Sequence, residues 1–94
     1  MAAYNNISAI QAYIDSTAKN NAEFEQDYNL IIKSINHAMF IGDYSVTVIN
    51  LIKSVKDQIE LVFKTLGYTF EPHGRAGDKY DAIISWRFVW PQNK

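Results

Sequence analysis

The polar side chains best placed for chemistry gather in one stretch, Glu71-Pro72-His73-Gly74-Arg75-Ala76-Gly77-Asp78-Lys79. Two glycines free its backbone, and His73, Arg75 and Lys79 supply cations for an anion such as a phosphate. Tyr80 follows directly and offers a ring on which a base can stack. The stretch is not a phosphate-binding P-loop. That loop reads GxxxxGK before Ser or Thr and opens a helix, whereas a strand pattern follows here. Its simpler reading is a hairpin loop whose glycines serve turns and whose charges face water.

The remaining catalytic chemistries find little support. A structural zinc site needs four ligands, and the chain has no cysteine and only His37 and His73. His37 lies near the end of a helical pattern, where a cation meets the negative helix pole. Ser85 sits between Ile84 and Trp86 without a glycine elbow, so it reads as a strand serine rather than a nucleophile. Asp78 and Asp81 are the candidate carboxylate pair, but their spacing does not single out acid–base work. The expectation is a non-enzymatic protein with no cofactor and no metal.

Elements must hold these residues, and the chain supplies them in order. Ile7, Ile10, Ile14 and Ala18 recur at helical spacing, with Asn6 or Ser8 as cap. Lys19-Asn20-Asn21 predicts a kink or a junction of two helices. Phe24, Tyr28, Ile31, Ile35, Ala38 and Met39 continue the helical spacing over 22–40. Glu23, Glu25 and Asp27 lie in its first turns, beside the positive helix pole. Gly42 is placed to stop it. Tyr44, Val46 and Val48 alternate with Ser45 and Thr47, the period of a half-buried strand. Asn50 then reads as the cap of a helix over 51–66, ended by Gly67. Tyr68–Glu71 reads as a short strand stopped by Pro72, and His73–Lys79 as loop. Tyr80–Trp90 reads as the longest strand, with Tyr80, Ala82, Ile84, Trp86, Phe88 and Trp90 on its core face. Trp86 is expected deep in that core.

The chain is therefore predicted to be a single small α+β domain over residues 1–94. Residues 1–42 form a helical arm, and residues 43–90 form a sheet with a crossover helix. The element order is helix–strand–helix–strand–strand, with helices on one face of a small three-stranded sheet. The other face of the last strand carries Ile83, Arg87 and Val89, typical anchors of an interface. Either a partner covers this face or the helix over 7–18 folds across it.

Composition narrows the partners. Ninety-four residues with 48% hydrophobic and 20% charged side chains fit one globular domain. A net charge of −1 disfavours general nucleic-acid binding. No apolar run is long enough for a membrane span, and MAAYNNIS lacks the pattern of a signal peptide. A small domain without disulfides often relies on a second copy of itself, so a homo-oligomer is expected.

Four pieces of the sequence carry a resemblance. They are Ile35-Asn36-His37-Ala38 running to Gly42, Tyr44-Ser45-Val46-Thr47-Val48, Leu66-Gly67-Tyr68, and Ile83-Ile84-Ser85-Trp86. Together they resemble a pattern in small tailed-bacteriophage accessory or virion-associated proteins. The resemblance implies a non-enzymatic binding protein in the virion or host cytoplasm, with itself and a phage or host protein as partners. An alternative is a counter-defence protein that sequesters a host nucleotide signal or inhibits a host defence protein.

Overall fold

The computed structural model describes residues 8–75 and 77–86. Helix α1 spans Ala9–Asn20 and α2 spans Ala22–Phe40. Strand β1 spans Ser45–Ile52, a 3-10 turn covers Lys53–Val55, and α3 spans Lys56–Thr65. Strands β2 and β3 are Thr69–Gly74 and Lys79–Ser85. The three strands form one antiparallel sheet in the order β1-β3-β2. The fold is α+β, with the helices on one face of that sheet.

Local chemistry explains the helix ends. The Ser8 hydroxyl accepts from the Gln11 amide at 3.2 Å and starts α1. Asn21 leaves helical geometry between α1 and α2, and its side chain accepts from the Glu23 and Phe24 amides. One residue thus ends one helix and caps the next. Gly42 follows α2 at φ +90°, while the Asp43 amide reaches back to the Ala38 carbonyl. This left-handed turn satisfies carbonyls that the helix end leaves open.

The strand-to-helix boundary differs from the sequence expectation. Asn50 is not a helix cap. It sits within β1 at φ +63°, where the register between Val48 and Leu51 shifts. This bulge inserts a residue, so the buried side of β1 passes from Val48 to Leu51. Leu51 therefore belongs to the strand, and α3 begins five residues later. Strand β2 also runs further than expected, through Pro72 to Gly74. Adjacent residues of central β3 bond to opposite neighbours, and the Trp86 amide donates to the Tyr44 carbonyl. Thr69, Glu71 and His73 therefore face the β3 ladder, and Pro72 points its missing N–H to the free edge, where no ladder bond is lost.

The core lies between the helices and the inner sheet face. It joins Ile14, Phe24, Ile31 and Ile35 to Val48, Leu51, Ile59, Val62, Phe63, Phe70, Ala82 and Ile84. Phe63 is its aromatic hub, with Tyr28, Tyr68 and Phe70 rings at 5.6, 5.7 and 6.4 Å. Trp86 is half-buried at the margin, edge-on to Tyr68 at 6.1 Å, rather than deep in the core. Its expected strand companions Phe88 and Trp90 lie outside the described residues. Helix α1 packs on α2 and α3, on the core side. It does not fold over the opposite face.

Candidate functional site

Three surfaces stand out, and each begins from a local feature of the sequence. The first is the loop between β2 and β3. Arg75 does not project freely for an anion. Its guanidinium donates to Asn50 Oδ1 at 2.9 Å and to Asp81 Oδ1 at 3.2 Å. The same Asp81 oxygen accepts from the Asn50 amide at 3.2 Å, and Lys53 Nζ donates to the Arg75 carbonyl at 2.7 Å. The loop is thereby fastened to the β1 bulge. Asp81 offsets the Arg75 charge, which weakens the loop as an anion site.

The other residues singled out in this stretch are separated. His73 is exposed on β2, with Nε2 at 3.9 Å from Glu71. Lys79 opens β3 opposite Ile52. Tyr80 is 1% exposed, so its ring is unavailable for stacking on a ligand. That expectation is corrected: Tyr80 is a core residue because it shares the inner face of β3 with Ala82 and Ile84. Among the described residues, no group of three metal-ligating side chains occurs.

The second surface is the sheet face away from the helices. Ser45, Ser85 and Thr69 form one row across it, and Thr47, Ile83 and Glu71 form the next. The Thr69 and Ser85 hydroxyls are in hydrogen-bond contact. Ile83 is half-buried at the centre of this polar surround. Arg87 and Val89, named with it as interface residues, lie outside the described residues. No helix covers this face among the described elements.

The third surface was not singled out from sequence. Met39, Phe40 and Ile41 close α2, and Tyr44 precedes β1. Phe40 is 89% exposed, and Ile41 and Tyr44 are each 58% exposed. The signal was present as an apolar run at the helix end, Ala38-Met39-Phe40-Ile41, longer than the buried stripe requires. Ala38 is buried while Phe40 and Ile41 are not, because only one side of the last turn meets the core.

A buried polar pair was also missed. Asp27 is fully buried, and its Oδ2 accepts from the Ile52 amide at 2.8 Å. Its other oxygen and the Tyr80 hydroxyl have no hydrogen-bond partner among the described residues. Burial pushes the Asp27 carboxyl above the ordinary range, opposed by the Ile52 amide and the Lys79 charge. The Tyr80 hydroxyl is likewise raised, first by burial and then by Asp27. The sequence signal was a carboxylate on the apolar stripe, three residues after Phe24 and four before Ile31. In comparisons with known proteins, no family model, curated protein or solved structure matches the chain.

Proposed function

We propose that the protein is a non-enzymatic accessory protein that works by oligomerising and by docking to another protein. The observation that carries this reading is the exposed apolar turn Met39-Phe40-Ile41 with Tyr44. A ring as exposed as Phe40 contributes little to the monomer's core, whereas aromatic side chains anchor protein interfaces. An apolar partner surface suits it better than a nucleic acid, since the turn's one charge is Asp43. The phage-type reading rests on the sequence pattern, and it assigns the partner to the virion or tail. No helix among the described residues is long and apolar enough to cross a membrane.

The test is to purify particles from infected cells and probe them for the protein, alongside a Phe40→Ser variant. The protein is expected to travel with the particles, and the variant is expected to be lost from them while keeping its fold. Wild-type protein absent from particles would overturn the virion assignment. Equal retention of both forms would remove the turn from the docking surface.

A further inference from the structure

The two edges of the sheet are unlike. β2 carries Glu71, Pro72 and His73, devices that discourage pairing with another strand. β1 has none of them. From Tyr44 to Ile52 it holds no charge, no proline and no glycine, and Val46, Thr47, Val48 and Ile49 are β-branched.

Hydrogen-bond phase shows which part of β1 is open. The Trp86 amide donates to the Tyr44 carbonyl, and the Lys53 amide donates to the Asp78 carbonyl. Tyr44, Val46 and Val48 therefore direct their backbone groups to β3, and Ser45 and Thr47 direct theirs outward. Both residues are exposed, and the phase of the ladder turns their amides away from β3, toward the edge. The far end of the same edge is closed by side chains. Asp81 takes the Asn50 amide, and Asp27 takes the Ile52 amide. Among the described residues the open segment is short and defined, Ser45 to Ile49.

We propose that this segment pairs antiparallel with the same segment of a second copy. The two-fold axis lies at Thr47, and the two sheets join into one of six strands. The inference rests on the oligomerising part of the function proposed above. Self-pairing fits the observations for two reasons. An antiparallel contact satisfies both open edges at once, setting Ser45 of one copy opposite Ile49 of the other and Val46 opposite Val48. The charges at the two ends are also opposite. Asp43 flanks the segment at its start, and Lys53 flanks it at its end, where Asp81 already offsets the Arg75 charge. Antiparallel pairing brings Asp43 of each copy toward the Lys53 end of the other, so the contact is complementary to itself. Ile49, 55% exposed in the single chain, is covered in the pair.

The test measures the molar mass of the full chain by light scattering over a concentration series. Wild type is expected at twice the chain mass. Thr47→Lys places two ammonium groups at the axis and is expected to weaken association by about tenfold or more, since like charges opposite each other destabilise strand pairs. Phe40→Ser is expected to remain dimeric. Hydrogen exchange on the wild type gives a second readout that needs no variant. The Thr47 amide is expected to slow as protein concentration rises, and exchange at a fast rate independent of concentration would overturn the proposal. A monomer at all concentrations would also overturn it, while leaving docking to a particle protein intact. A dimer broken by Phe40→Ser but not by Thr47→Lys would place the contact at the apolar turn instead, and would equally overturn edge pairing.

Discussion

Asp27 shows how much one residue can tie together. It stands on the apolar stripe of α2 and caps an amide of β1, linking helix to sheet through the core. Its raised pKa has a definite consequence for stability. Well below the ordinary Asp value of about 3.9 the carboxyl is protonated in both folded and unfolded chains. As pH rises through the window between the unfolded and folded values, the unfolded chain ionises first. Stability therefore falls across that window and then levels off. Asp27→Asn keeps an acceptor for Ile52 and removes the charge. Its stability relative to wild type should rise across the same window, as followed by urea unfolding at a series of pH values. A constant difference would show that burial does not oppose ionisation. Tyr80 gives a second test at this scale. Its hydroxyl has no hydrogen-bond partner among the described residues, so Tyr80→Phe should be neutral or slightly stabilising, within about 1 kcal/mol in the same assay. A loss well beyond that would reveal a partner for the hydroxyl.

The elements were legible wherever one local rule governed them. Ser8, Asn21, Gly42 and Gly67 mark helix ends through their own side chains or their freedom at positive φ. Asn21 makes the point measurable. Its side chain takes two amides at the head of α2, so Asn21→Ala should cost about 0.5–2 kcal/mol in thermal or urea unfolding, against little change on Asn21→Ser. The β1 boundary was not legible, because two distant carboxylates and a bulge decide it. Leu51, Val55 and Ile59 are spaced by four, which suits a helix, yet Leu51 lies in the strand. Asn50 adopts positive φ there, with its amide held by Asp81 and its side chain by Arg75. Arg75 reads from the sequence as a cation for an anionic ligand, whereas its contacts to Asn50 and Asp81 fasten the loop to this bulge. The contact is partly exposed, so Arg75→Ala should lower stability by no more than about 1 kcal/mol. It should chiefly speed hydrogen exchange at Asn50.

For the molecule as a whole, alternation along the last strand was enough to give the sheet and the side on which its core lies. Tyr80, Ala82 and Ile84 are buried as that alternation requires. What it could not give was the order of the strands or the centre of the packing. Trp86 is the larger ring, but Phe63 has aromatic neighbours from α2, from β2 and from the turn before β2. Phe63→Ala should therefore be among the most damaging core changes, by about 3–5 kcal/mol. Trp86→Ala should cost distinctly less, because that ring is only half-buried. Similar losses for the two variants in urea unfolding would place Trp86 at the centre after all.

The strand order also constrains when the molecule can fold. Among the described strands β3 is last in sequence yet central in space, so β1 and β2 lack their shared neighbour until it arrives. During synthesis, a chain that has emerged only as far as Gly77 has every described helix but no ladder of this sheet. Its apolar inner strand positions, Val48, Leu51 and Phe70, then have only helices to meet. Closing the sheet requires contacts between residues 45 and 85, a long loop for so small a domain. Protection from protease should accordingly appear in one step, once β3 has left the ribosome.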